Sequence, residues 1–269
     1  MSAATAAPPR RSMFGVELDP LTMDQTVRRC LDAVRDGEQL EIGVVNAAKL
    51  VNMRRDPRLA GAVNGCDLVL ADGQAVVWAG KVLRAPLPER VAGIDLFMRL
   101  LAEAETAGIS VYLLGAKQPV LELMLHQIRL RFPELVVAGS RNGYFDDSEQ
   151  QEIAESIAAS GAQMLFLGMT SPKKELFTAA YGERTGVRVV HGVGGSFDIL
   201  AGVTRRAPAA WQRLGVEWLY RALQEPRRLG RRYVTTNTLF FLMTARELVR
   251  PTPPARRSGG ATGSARGSS

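Results

Sequence analysis

The sequence predicts an α/β protein, a doubly wound and mainly parallel sheet of Rossmann-like type with a C-terminal helical appendage. Three observations predict it. Short β-rich runs alternate with helical patterns, the runs are continuously apolar, and small, polar or charged residues directly follow each of them. Strands covered by helices on both faces read as unbroken apolar runs, and their alternation with helices is the βαβ rhythm that gathers strands into one parallel sheet. A length of 269 residues with 46% hydrophobic and 23% charged side chains is enough for a full core.

Residues 1–12 are mostly Ala, Pro, Arg and Ser, and residues 251–269 mostly Pro, Arg, Gly and Ser, so both ends are predicted to be disordered. Residues 13–204 are assigned to the α/β body and 205–250 to a basic helical appendage. Thr22-Met-Asp-Gln25 is a capping box ahead of Val27, Cys30, Leu31 and Val34 at helical spacing, which starts the first helix. Strands are predicted at 41–45, 67–71, 109–114, 135–138, 163–167 and 188–191. The residues after them are Asn46, Asp72, Gly115-Ala-Lys117, Ser140-Arg-Asn142, Gly168-Met-Thr-Ser171 and Gly192-Val-Gly-Gly195. In an open parallel sheet these share the carboxyl edge, where ligands bind.

The bulk numbers exclude several classes. Two cysteines, Cys30 and Cys66, lie in apolar surroundings and no secretory apolar region precedes Met13, which argues against a disulfide scaffold or an exported chain. The expected location is cytoplasmic. The best apolar run, Leu239-Phe-Phe-Leu-Met243, is far shorter than the roughly 18 residues of a spanning helix, so membrane contact is expected to be peripheral. The net charge of +7 is concentrated late in the chain: residues 200–250 hold ten arginines against three glutamates. A basic end of this kind suits phosphates or anionic lipid.

Asp72 precedes Gly73-Gln-Ala-Val-Val-Trp78 and reads either as the N-cap of that helix or as a general base at the ligand edge. Asn46 reads as a helix cap or a sugar-hydroxyl partner. Arg90 sits in a loop stiffened by Pro86 and Pro88, suited to a diphosphate or carboxylate, or to a salt bridge with Glu89; Asp95 is predicted to cap a helix over 96–107. Ser171-Pro-Lys-Lys-Glu175 has a Ser cap, a proline at the first helical position and two lysines, an anion site in form. Gly192-Val-Gly-Gly-Ser-Phe-Asp198 misses the G-x-G-x-x-G spacing and follows the last strand, so it is weak evidence for NAD. His126 reads as a surface or packing residue and His191 as a strand end near the cleft. Two histidines and two distant cysteines make no zinc site, and there is no D-x-D stretch for a divalent ion. Diphosphate charge is then left to amides, lysines and arginines. In the appendage, Trp211, Leu214, Trp218, Leu219 and Ala222 form an apolar stripe, and a second, basic helix is predicted from Pro226. A packed helix pair with a solvated face and an interfacial, phosphate-binding role are both open.

Val45-Asn-Ala-Ala, Asp67-Leu-Val-Leu-Ala-Asp-Gly73, Pro86-Leu-Pro-Glu-Arg-Val-Ala-Gly-Ile-Asp95, Gly168-Met-Thr-Ser-Pro-Lys-Lys-Glu175, Gly192-Val-Gly-Gly-Ser-Phe-Asp198, Arg206-Ala-Pro208 and Glu217-Trp-Leu-Tyr-Arg221 occur in this order. Together they resemble the WecG/TagA/CpsF glycosyltransferase family over about residues 14 to 245. The resemblance implies an inverting, metal-independent transfer from a UDP-sugar to an undecaprenyl-diphosphate-linked sugar at the inner face of the plasma membrane, without cofactor or nucleic acid; a homo-oligomer is compatible with it. It implies that Asp72 is the catalytic base, that Asn46 and Arg90 position substrate, and that Asp198 is a donor-site acid. Lys174, Gly115, Gly168 and Gly194 complete the expected donor site. Arg221, Arg228 and Arg231 match arginines of an appendage that closes over the acceptor diphosphate. Two departures bear on the donor: Val44 stands where the family usually has Thr, and Lys174 where it usually has Gln, so a uronic acid or plain hexose stands beside N-acetylmannosamine as donor sugar. The alternatives from other classes are an NAD-dependent oxidoreductase and a non-catalytic basic adaptor for lipid or nucleic acid.

Overall fold

The computed structural model describes residues 8–213, 215–224 and 231–253. The chain enters through an antiparallel hairpin, β1 (Arg11–Met13) and β2 (Val16–Leu18). Then come α1 (Met23–Asp36), β3 (Leu40–Val45), α2 (Ala47–Met53), α3 (Pro57–Gly65), β4 (Leu68–Ala71), α4 (Gln74–Val82) and α5 (Gly93–Ala107). The second half runs β5 (Val111–Gly115), α6 (Gln118–Arg131), β6 (Val137–Arg141), α7 (Gln150–Ala159), β7 (Met164–Gly168), α8 (Lys173–Tyr181), β8 (Val189–Gly192) and α9 (Ser196–Leu200). Three further helices end the described chain: α10 (Ala209–Arg213), α11 (Glu217–Gln224) and α12 (Arg231–Val249).

Strands β3 to β8 form one parallel sheet in the order β4-β3-β8-β7-β5-β6. Each predicted run overlaps one of these strands. Their side chains alternate between two buried faces, which is why the runs read as continuously apolar. Leu40, Ile42, Val44, Leu68, Leu70, Leu113 and Phe166 meet α1, α5, α6 and α9 on one face. Val45, Val69 and Ala71 meet α2, α3, α4 and α12 on the other, and Leu114, Leu165 and Val190 meet α7 and α8 there. Cys30 and Cys66 are buried thiols in these layers, and burial pushes both up to about 12. The capping box forms as predicted: Thr22 accepts from the Gln25 N–H, and the Gln25 side chain accepts from the Thr22 N–H.

The ends differ from expectation. Residues 8–12 are described, and Arg11 and Ser12 pair with Leu18 and Glu17, while Arg10 Nε meets Asp19 at 2.7 Å. Composition marked this segment as disordered, but main-chain pairing and the burial of the adjoining Met13 and Phe14 supply the order. At the other end α12 is no satellite. Phe240 and Met243 are buried in the same core as Met13, Phe14 and Leu50, Phe14 lies 5.3 Å from Phe240 between ring centroids, and the Phe14 N–H donates to Glu247 Oε1 at 2.9 Å. A buried Phe or Met contributes about 1.5–3 kcal/mol, so a boundary drawn after residue 204 passes through a core. Thr252 also reaches Glu247, through its N–H at 2.9 Å and its hydroxyl at 2.6 Å. Pro226 and Arg228, read as part of a basic helix, lie outside the described residues. Among the described residues, no helix is long and apolar enough to cross a membrane.

Candidate functional site at the carboxyl edge

All six strands point the same way, so Asn46, Asp72, Gly115, Gly168 and Gly192 share one edge. Helix α2 leaves β3 toward one face and α9 leaves the neighbouring β8 toward the other. Divergent connections from adjacent strands open a crevice of the kind in which open α/β sheets bind ligands.

Asn46 and Asp72 stand side by side on this edge. The Asp72 N–H continues the ladder to the Val45 carbonyl at 2.9 Å. Asn46 Oδ1 caps α2 by accepting from the Lys49 N–H at 3.0 Å, and its Nδ2 lies 3.5 Å from Asp72 Oδ2. The cap reading of Asp72 needs correction. Gly73 is the N-cap of α4, without a side-chain bond, and Asp72 Oδ1 instead accepts from the Gly93 N–H at 2.9 Å. Gly93 opens α5, which the loop brings back through Val91 N–H to the Ala71 carbonyl at 2.9 Å. The carboxylate thus faces the positive end of a 15-residue helix other than its own.

His191, fully buried at the end of β8, contacts the same glycine from below, Nε2 lying 3.1 Å from the Gly93 carbonyl oxygen. Burial pulls its pKa down to about 4 despite that bond and the nearby Asp72 charge, so the ring is neutral and donates through Nε2–H. On the opposite face of β8, Lys174 lies against Gly192, where an added Cβ would come within 3.0 Å of its Cδ. Lys174 Nζ and Lys49 Nζ both reach Glu175 Oε1, at 2.8 and 2.7 Å, and all three side chains are at most 10% exposed. Burial opposes ionisation of Glu175, yet Lys49 and Lys174 outweigh it and bring its pKa down to about 2. Burial and Lys49 together lower Lys174 to about 8. Asp72 acts electrostatically on His191, Lys174 and Arg206 alike, which places it among all three.

The rim is a second charged group. Arg206 grips Asp95 through both terminal nitrogens, at 2.6 and 2.8 Å. Arg90 lies 3.4 Å from Glu217 and 3.9 Å from Asp95, and Arg206 lies 3.8 Å from Glu217. One open reading is decided here and one expectation fails. Glu89 does not pair with Arg90, because its Oε1 accepts the Met23 N–H. Asp95 does not cap α5, which begins at Gly93 after an Ala92 cap; its carboxylate is drawn to Arg206. Ser171 likewise is no cap: Pro172 takes the cap position of α8, with no side-chain bond. Of the two lysines there, Lys173 turns away, bonding the Gly143 and Phe145 carbonyls and covering the Phe145 ring at 3.7 Å.

The glycines divide. A Cβ on Gly115 would fall 2.4 Å from Gly168 Cα, and one on Gly168 would fall 2.3 Å from the Phe197 ring, so both are required by the packing of β5, β7 and α9. Gly194 adopts φ +53°, turning the chain between β8 and α9, and Asp198 follows in the first turn of α9. Arg221 lies on α11 and Arg231 opens α12. Lys49 is the member of the edge not named from sequence, and Arg206 and Glu217 stood there only within the family motifs, without an individual role. The signal for Lys49 was its place on α2, just after the Asn46 cap. Among the described residues no three His, Cys, Asp or Glu side chains gather as a metal site.

The model of the glycosyl transferase WecG/TagA/CpsF family matches residues 11–253, from the first strand to the last described residue. With nearly the whole chain matched and the family's motifs gathered on one sheet edge, the protein belongs to the WecG/TagA/CpsF family of glycosyltransferases.

Proposed function

We propose that the protein transfers a sugar, with inversion, from a UDP-sugar to a polyprenyl-diphosphate-linked acceptor in the synthesis of a cell-surface polymer, and that Asp72 is the general base. The observation that carries the reading is the placement of Asp72: one carboxylate oxygen is fixed by the Gly93 N–H, and the other faces Asn46 at the open edge of the sheet. In the proposed step the acceptor hydroxyl gives its proton to Asp72 as its oxygen bonds to the anomeric carbon. The anomeric carbon–oxygen bond to UDP breaks on the opposite face, and its electron pair leaves on the diphosphate. Arg90 and Arg206 are near enough to the rim to meet that charge through fixed guanidinium donors, and the reaction then needs neither metal nor cofactor. Asn46 orients a sugar hydroxyl, and Lys174 and Asp198 border the donor sugar. The other arginines of 205–232 hold the enzyme at the cytoplasmic membrane surface, each adding about 1 kcal/mol near anionic headgroups.

The test is Asp72→Asn. It is expected to keep the fold and UDP binding while lowering kcat by roughly 10²–10⁴-fold, the span of a lost general base. A turnover within a few-fold of wild type, on a panel of UDP-sugars with a lipid-diphosphate acceptor, overturns the assignment.

A further inference from the structure

The ion pairs of the rim are of two qualities. Arg206 and Asp95 form a close fork, at 2.6 and 2.8 Å. Glu217 approaches the same guanidinium only to 3.8 Å and Arg90 only to 3.4 Å, both longer than the roughly 2.7–2.9 Å of a charge-assisted hydrogen bond. Glu217 Oε1 is shielded from solvent and makes no hydrogen bond. Arg90, with 15% of its side chain exposed, has no carboxylate closer than Glu217 among the described residues. Glu217 thus holds a shielded Oε1 without a donor, 3.8 Å from Arg206, and an Oε2 3.4 Å from Arg90, which is a poorly satisfied arrangement for a carboxylate. Arg90 and Asp95 flank the start of α5, and Arg206, in the loop between α9 and α10, is tied to them through Asp95. Glu217 instead comes from α11, which leans on α10 through Tyr220 against Trp211, 5.6 Å between ring centroids.

We infer that Arg90 and Arg206 form a seat for a substrate diphosphate, and that Glu217 occupies this seat as an exchangeable carboxylate, yielding it when phosphate oxygens arrive. The inference rests on the transfer proposed above, which brings a diphosphate to this rim. A diphosphate carries more charge than one carboxylate and offers oxygens that reach both guanidiniums at hydrogen-bonding distance, while Asp95 keeps Arg206 aimed. The displaced Glu217 regains hydration. Because Glu217 is the first residue of α11, filling the seat and releasing the start of that helix are one equilibrium, and the ligand shifts it by its preference for the open seat.

The experiment is calorimetric titration of the full chain with inorganic pyrophosphate at constant ionic strength. Glu217→Gln, which removes the competing charge and retains the shape, is expected to bind pyrophosphate about 5–20-fold more tightly than wild type, and Arg90→Gln to lose most of the affinity. Glu217→Asp, one methylene shorter, reads the same competition should the Gln variant not fold, and its affinity must rise as well. UDP and farnesyl diphosphate, as competitors, identify whether the seat serves the donor or the lipid acceptor; displacement by either supports it. A folded Glu217→Gln protein that binds pyrophosphate no more tightly than wild type overturns the seat, even where the wild type transfers sugar. A wild type that turns over no UDP-sugar, with the Gln variant still binding pyrophosphate more tightly, overturns the transfer and leaves the seat standing.

Discussion

Strand β3 has carboxylates near both of its ends, and the two ends treat them in opposite ways. At the amino end Glu41 is largely buried, near Asp67 and Glu183, and burial followed by those two charges pushes its pKa up to about 7. At the carboxyl end Glu175 is buried at least as deeply, yet Lys49 and Lys174 bring it down to about 2. Desolvation acts on both in the same direction, so the difference lies in the cations. A carboxylate that must stay charged in a cleft is given two ammonium partners. Glu41, at the edge opposite the cleft, has two carboxylates as its main electrostatic neighbours, and the fold bears the cost.

The largest expected effect comes from breaking the compensated end. Glu175→Gln leaves Lys49 and Lys174 buried beside each other without their shared anion, and removing one member of a buried ion pair typically costs roughly 3–5 kcal/mol. Urea unfolding at pH 7 should show a loss of that order with an unchanged m-value. The linkage sign agrees: with a folded pKa of about 2 below the ordinary 4.5, Glu175 contributes stability that is present above pH 4.5 and is lost as pH falls through 2. A variant as stable as wild type at pH 7 would show that the lysines find other partners.

Much of this architecture was legible in the sequence, and the misses share a cause. The strands, the capping box at Thr22 and the convergence of Asn46 and Asp72 follow from local pattern and from the rule that parallel strands share an edge. The failures at the helix starts are the caps supposed at Asp95 and Ser171, together with the cap that was one of the two readings of Asp72. Asp72 is taken by Gly93, Asp95 by Arg206 more than a hundred residues away, and Ser171 gives its place to Pro172. A residue type favours capping only when its own backbone and the next helix cooperate and no stronger partner arrives from elsewhere. The rim was illegible for the same reason, since Glu217 and Arg206 meet Arg90 and Asp95 only through the tertiary fold. The placement of α12 was missed because its stripe of Phe240 and Met243 is short and interrupted, and only the hairpin of Met13 and Phe14 completes the surface that it covers.

A smaller effect, of opposite sign, is expected at the other end of β3. Glu41→Gln should stabilise the protein at pH 8 by about 1–3 kcal/mol, because at that pH the wild type holds an ionised carboxylate where the folded state prefers a proton. The sign follows from a folded pKa near 7 against an unfolded value near 4.5: the cost is fully present above 7, shrinks as pH falls, and has gone below 4.5. Thermal melts of both proteins should therefore diverge at pH 8 and converge near pH 4. Parallel melting curves across that range would place Glu41 in solvent.

The last expected effect, read as a donor ratio and not as a stability, sharpens the contrast where it touches specificity. Lys174 is 7% exposed and its ammonium shares Glu175 Oε1 with Lys49, so one carboxylate serves two cations. Asp72 is the next anion to act on it, and in the proposed reaction Asp72 takes up a proton and its charge is neutralised as the acceptor attacks. A donor sugar bearing a carboxylate would then restore the balance around Lys174, whereas a neutral hexose would not. A hydrogen bond to a charged group is worth about 1.5–3 kcal/mol, so the wild type is expected to favour a uronic-acid donor over the matching hexose by about tenfold or more in kcat/KM. Lys174→Gln should erase most of that preference. The pH dependence gives an independent reading, because burial and Lys49 lower Lys174 to about 8. As pH rises through 8 the ammonium is lost, and the wild-type preference should decline toward that of the Gln variant, whose own ratio should stay flat over the same interval. Donor ratios measured at pH 6.5 and 9 for both proteins decide it. A wild-type ratio that is flat with pH and equal to that of Lys174→Gln would mean that Glu175 holds the ammonium entirely, leaving donor choice to the other residues of the edge.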